Sequence, residues 1–159
     1  MKEMLIKENI EHLPAQGERE ADSILCLAID LGENILKNGG EIARVEDTIE
    51  RVCTYFGAEH VEAFAITTMI IASVRLRDGS YSHQLRHLKG SSMNMYRVEQ
   101  LNRISREICA GKLSIEQANA RIAAVKKKNP YSPIVYYIGA GMLTSGFTVF
   151  FGGSWLDAL

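Results

Sequence analysis

The chain has 159 residues, 47% of them apolar, and a net charge of −1. That length suits one ordinary domain that buries its core without disulfide or metal staples. The N-terminus, MKEMLIKENIEHLP, lacks a continuous apolar stretch and a small-residue cleavage site, so no signal peptide is expected. No internal repeat or low-complexity tract occurs.

The near-zero total hides a division. Residues 1–62 hold 6 basic and 14 acidic residues, a net of −8, whereas residues 63–128 hold 12 basic and 4 acidic, a net of +8. The basic half suits an anionic membrane surface or nucleic acid, or the two halves neutralise each other on folding. Cys26, Cys53 and Cys109 are widely spaced and odd in number, as expected for small core side chains in a reducing compartment.

In chain order, the first 17 residues are polar and predict a flexible N-terminus (1–17). From Ala21, apolar residues recur at helical spacing through Ile24, Leu25, Ala28, Leu31, Ile35 and Leu36, and Gly39-Gly40 stops the helix. A second helix is predicted from Arg44 to Phe56, with Val45, Ile49, Val52 and Cys53 on its apolar face. Residues 61–77, VEAFAITTMIIASVRLR, are rich in β-branched residues and read as strand, with Thr67-Thr68 a candidate break. Asp78-Gly79 is a hairpin signal, and residues 80–88 read as the returning strand. Two helices come next. Val98, Leu101, Ile104 and Ile108 form one stripe, and Ser114 to Gln117 opens the second as a capping box ending at Lys126-Lys127-Lys128.

Asn129 to Leu156 carries no charge, and residues 134–156 are mostly apolar over 23 positions. A bilayer crossing takes ~20 such residues. Tyr131, Tyr136, Tyr137 and Trp155 lie toward the ends, as interfacial aromatics do. Glycines at 139, 141, 146, 152 and 153 weaken a water-soluble helix but suit close helix packing in lipid. The preceding lysines place residues 1–130 in the cytoplasm by the positive-inside rule.

Polar residues that could carry function crowd the start of the second helix. Glu41, Arg44, Glu46, Asp47 and Glu50 read either as acids favoured by a helix N-terminus or as the lining of a pocket for a zwitterionic solute. In the second reading arginine grips a carboxylate and an acid grips the ammonium. Asp47 and Arg51 are spaced to pair on one helix face. His83 and His87 face the same way on a strand but lack a third metal ligand. Thr67 or Thr68 could act as a nucleophile only with an adjoining base. No GxSxG elbow, HExxH or P-loop is present, so no cofactor is expected.

Three segments carry a resemblance. NGGEIARVEDTIERV (38–52), LNRISREICAGKLSIEQA (101–118) and FFGGSWLDA (150–158) are similar, in order and spacing, to motifs of the threonine/serine exporter family. The resemblance implies a soluble N-terminal domain followed by several membrane helices, either in one long chain or split between two subunits. It implies export of threonine and serine, or of small dicarboxylates in the split relatives. Asn102, Arg103 and Asp157, which stand in these segments, join Glu41, Arg44, Glu46 and Asp47 as substrate-binding or gating candidates. Arg103 and Arg106 read otherwise as surface helix charges, or as domain–membrane or domain–domain contacts.

The expected architecture is α+β, with helices flanking a small antiparallel sheet and one C-terminal transmembrane helix. Its divisions are the N-terminus (1–17), a cytoplasmic domain (18–129) and the first membrane helix with the start of the next segment (130–159). The expected partners are the lipid bilayer, a small polar metabolite, and further membrane helices or a partner membrane subunit. A homo-oligomer is compatible with this; nucleic acid is not expected. Since one helix encloses no transport path, the chain reads as a fragment or as an unusual single-span protein. The rival readings are a membrane-tethered hydrolase and a tail-anchored interaction domain.

Overall fold

The computed structural model describes residues 16–127 and 132–154. Its described elements are α1 (Gln16–Lys37), α2 (Ile42–Tyr55), β1 (Ala58–Ile66), β2 (Met69–Leu76), β3 (Tyr81–His87), α3 (Met95–Cys109), α4 (Ile115–Lys127) and α5 (Pro133–Phe150). The chain divides into two compact units at Lys126/Lys127. The first is α+β, as expected from sequence, and the second contains the apolar helix. Residues 1–15, Lys128, Tyr131, Trp155 and Asp157 lie outside the described residues, so the flexible N-terminus and the outer members of the aromatic belt do too.

Helix α1 is the centre of the first unit. Its apolar residues exceed one stripe, and Ile24, Leu25, Leu27, Ala28, Ile29, Leu31 and Ile35 are all at most 1% exposed. A helix buried this fully must be covered on several sides. It packs against α2, α3 and the sheet. The sheet is antiparallel in the order β1-β2-β3. Ile70, Ala72, Val74 and Leu76 of β2 point inward at alternate positions and are buried, as the two-residue period of a strand requires.

Thr67-Thr68 does divide the predicted long strand, since Ile66 pairs with Met69 and closes a two-residue turn. The Asp78-Gly79 turn returns the chain with Gly79 at φ +83°, and Arg75 pairs with Tyr81. Between α1 and β3 runs a polar ladder. Asp22 Oδ1 accepts from Gln84 Nε2 at 2.8 Å and from Ser82 Oγ at 3.1 Å, and Arg86 Nη2 lies 3.5 Å from Asp30 Oδ1. Cys26 faces this ladder, 3.4 Å from Gln84 Nε2, so of the three cysteines only Cys53 is a fully buried core side chain.

The glycine pair after α1 sets the course of the chain into α2. Gly39 has φ +92°, and its amide and that of Gly40 bond back to Leu36 O and Ile35 O at 3.1 and 2.9 Å. These are the two reciprocal bonds of a Schellman cap. The same turn is stitched to the approach of α3, because Ser92 N donates to Lys37 O at 2.8 Å and Asn94 N to Asn38 O at 3.0 Å. Helices α2 and α3 thus start beside each other. The Ser114 box opens α4 as expected, Gln117 N reaching Ser114 Oγ at 3.3 Å and Ser114 N reaching Gln117 Oε1 at 3.1 Å.

In the second unit, α5 is long and apolar enough to cross a membrane. It is shorter than the 23 residues expected, because Gly152 at φ +87° and Gly153 cap it rather than extend it. Gly153 N reaches Thr148 O at 2.9 Å and Gly152 N reaches Val149 O at 3.1 Å. Its 18 residues span about 27 Å at ~1.5 Å per residue, close to a hydrocarbon core of ~30 Å. Thr148 Oγ1 bonds back to Thr144 O at 3.0 Å, satisfying a hydroxyl within the helix, as lipid demands. A side chain grown at Gly139, Gly141 or Gly146 would meet nothing within 4 Å, so these positions are open notches on α5.

Candidate functional site

Helix α2 begins at Ile42, two residues before the expected start. Glu41 occupies its N-cap position with an extended backbone, yet its side chain makes no cap hydrogen bond, and the first turn holds no acid. Only Glu41 thus sits where the helix dipole favours an acid, and it makes no cap bond; Glu46 and Asp47 fall in the second turn, where the dipole is weak. Their partners lie elsewhere.

Asp47 Oδ2 pairs with Arg51 Nη2 at 2.8 Å along the helix. Glu46 turns the other way, and its Oε1 accepts from the backbone amide of Ala65 in β1 at 2.9 Å. Glu46 is thus a clamp between helix and sheet.

The remaining candidates meet along the seam between α2 and α3. Two adjoining clefts lie there. One, of about 380 Å³, is lined by Glu41, Arg44, Asp47, Arg51, Asn102 and Arg106 among others. The other, of about 440 Å³, shares Glu41, Arg44, Asn102 and Arg106 and adds Glu99 and the Gly39-Gly40 turn. Glu41, Arg44, Asp47 and Asn102 were thus legible as candidates and are brought together. Arg103 is not, because it pairs with Glu107 at 2.9 Å, and Asp157 lies outside the described residues.

The seam runs along both helices. At its far end the Cys109 thiol approaches Arg51 O at 3.8 Å. Arg106, read from sequence as a surface charge or a domain contact, joins the cleft instead, four residues after Asn102 and so on the same helix face.

The electrostatics distinguish these arginines. Arg51 is neutralised by Asp47, and Arg103 shares Glu107 with Arg121. Hydrogen bonding from Arg103, then the charge of Arg121, holds the Glu107 carboxyl below its usual range. Among the described residues neither Arg44 nor Arg106 has a carboxylate partner. The cleft therefore offers two guanidinium groups, the Asn102 amide and the Glu41 carboxylate to a solute, a set able to hold a carboxylate in fork geometry and an ammonium beside it. Thr48 and Ser105, buried on α2 and α3, keep their hydroxyls without a partner among the described residues.

The other polar groups weighed from sequence do not assemble. Thr67 and Thr68 are exposed in the β1–β2 turn. His83 and His87 lie on the exposed face of β3, and no cluster of three metal-ligating side chains occurs among the described residues. A further cleft of about 500 Å³ between the start of α1 and β3 is lined by Glu18, Arg19, Asp22, Tyr81 and His83 among others. No sequence signal pointed to it, because it forms only where two distant segments meet.

A family model described as "Putative threonine/serine exporter" matches residues 26–159. A protein of Mycobacterium tuberculosis described as "Probable threonine/serine exporter" is 26% identical over an alignment that takes in 92% of this chain and 30% of that protein. The chain thus spans under a third of that relative's length. No solved structure matches it.

Proposed function

The chain belongs to the threonine/serine exporter family, and from that premise we propose that it forms the leading portion of a membrane exporter of small polar metabolites. Threonine and serine are the first candidates as cargo, and small dicarboxylates the second. One observation carries this reading: a single family match runs unbroken from α1 through the apolar helix α5. An unrelated domain carrying a tail anchor would not match across that junction.

In this reading residues 18–129 form a cytoplasmic domain, residues 130–159 enter the inner membrane, and Lys126–Lys128 hold the boundary on the cytoplasmic side. The α2–α3 cleft is the sensing or gating element. Arg44 and Arg106 take the solute's carboxylate, Glu41 its ammonium, and Asn102 a polar side chain. One helix encloses no path through lipid, so α5 works with further membrane helices, packing through its glycine notches. A hydrolase reading draws no support from Thr67 and Thr68, whose hydroxyls have no basic partner among the described residues. Nucleophilic catalysis requires such a base.

The test is efflux from cells preloaded with a threonine dipeptide. Cells carrying the complete exporter with any partner subunit are compared with empty vector and with this chain alone. The complete system is expected to lower intracellular threonine or serine, and this chain alone is not. Retention of every small amino acid and dicarboxylate by the complete system would overturn the reading.

A further inference from the structure

The sheet has two faces, and among the described residues only one is covered. Phe64, Ile66, Ile71, Tyr81 and Leu85 on the other are 60, 38, 41, 63 and 60% exposed. They are not scattered. The register places Phe64 opposite Ile71 and Ile71 opposite Leu85, so one apolar row crosses all three strands. The next row reads Glu62, Ser73, His83, and the row on the other side reads Ile66, Met69, His87. Two aromatic rings of ~150–250 Å² each, with three aliphatic side chains at these exposures, leave on the order of 500 Å² of apolar surface. Patches of that size on a monomer mark interaction sites. With the polar positions between them, the face approaches the ~800 Å² per partner of a standard interface.

We propose that this sheet face is a homodimer interface, in which two copies of the chain stack sheet on sheet with their two-fold axis along β2. An isologous pair places its axis in the plane of contact, which leaves two simple choices. An axis across the strands would set Glu62 on Ile66 of the second copy and strand a carboxylate on hydrocarbon. An axis along β2 exchanges β1 with β3. Phe64 then meets Leu85, Ile71 meets its own counterpart, and Glu62 meets His83. The ring of His83 stacks on that of Tyr81 at a centroid distance of 6.3 Å, and Glu62 lies within 3.2 Å of His60. Arg75 would approach its counterpart only at the end of β2. There it is paired with Glu59 at 3.6 Å on a solvated rim, and the ~30° angle between aligned sheets carries the strand ends apart. A carboxylate beside the apolar row also fits a protein partner better than the acyl region of a bilayer. The dimer is independent of the cargo and of the α2–α3 cleft.

The full chain purified in detergent tests it. In a background with the three native cysteines replaced by alanine, Glu62→Cys copies mixed with His83→Cys copies should form a disulfide-linked dimer under mild oxidation. Glu62→Cys copies alone should give several-fold less, because the axis sets those positions on opposite sides. Light scattering of the native-cysteine chain should give twice the chain mass. Phe64→Asp with Leu85→Asp should halve it while leaving the circular dichroism spectrum unchanged. Glu62→Lys should weaken association and His83→Glu in the same chain should restore it. A monomeric native chain, as expected if residues 1–15 or lipid cover the face, would overturn the proposal. So would association through α5 alone, seen as a dimer that Phe64→Asp with Leu85→Asp leaves intact.

Discussion

Glu46 on α2 accepts a hydrogen bond from the amide of Ala65 on β1 at 2.9 Å. Because β1 is a sheet edge, that amide has no strand neighbour on its outer side, and Ala65 is only 3% exposed. Water cannot easily replace the carboxylate. Glu46→Ala should therefore destabilise the fold by about 1.5–3 kcal/mol, the range for a hydrogen bond to a charged group. Glu46→Gln keeps an acceptor and should cost less than half of that. Urea unfolding of the two variants measures the difference, and equal stabilities would refute the clamp.

Thr48 and Ser105 make the opposite prediction. Both are at most 1% exposed, and each hydroxyl is unpartnered among the described residues. A buried hydroxyl without a partner costs about 1–3 kcal/mol. Thr48→Val and Ser105→Ala, which delete the hydroxyl at nearly constant shape, should each raise stability by about 1 kcal/mol. A loss of stability in both would mean that the hydroxyls have partners.

Glu107 sets an acid-side dependence. Its folded pKa lies below the ordinary 4.5, chiefly through the hydrogen bond from Arg103. A carboxylate depressed in this way adds stability above its unfolded pKa, and that contribution disappears as pH falls through the folded value. Denaturation curves from pH 7 downward should show wild type losing its advantage over Glu107→Gln on the acid side of the ordinary carboxylate range. A gap between the two that widens on acidification would contradict the assignment.

The division of the chain predicts that residues 16–127, expressed alone, give a single cooperative melt, because every core residue identified belongs to that span. Aggregation that only α5 prevents would count against it.

Topology has its own test. In intact cells an impermeant thiol reagent should leave a Ser114→Cys chain unlabelled, and should label it after permeabilisation. Cys53 serves as the internal control, since burial pushes its thiol up to about 12 and it should stay unmodified until the protein unfolds. Labelling of Ser114→Cys in intact cells would invert the orientation.

How much the sequence disclosed depends on which constraints are local. Gly39, Gly40 and Gly79 announced their turns because the backbone there needs conformations that side chains resist. The stripe Val98, Leu101, Ile104, Ile108 announced a buried helix face because its period is that of the helix. The start of α2 was misplaced because Ile42 and Ala43 carry no boundary signal, while the acids beyond them resemble a first turn. Gly152 and Gly153 passed as packing notches because composition does not separate a notch from a cap. Arg106 was read as a surface charge or a domain contact, not as part of a pocket, for a different reason. Periodicity tells which residues share a face of α3, but not that this face meets α2. The bond from Glu46 to Ala65, 19 positions away, is equally non-local.

The stitching of Lys37 and Asn38 to Ser92 and Asn94 gives the α2–α3 seam the mechanics of a clothes-peg. Its sprung end is the double backbone bond beside Gly39, and its free end is closed by the thiol of Cys109 at Arg51 O. A small solute drawn between Arg44 and Arg106 would sit partway along the jaws. Any movement it provokes would be least at the glycine turn and greatest around Tyr55 and Gly111, where the two helices end and the chain leaves for β1 and α4.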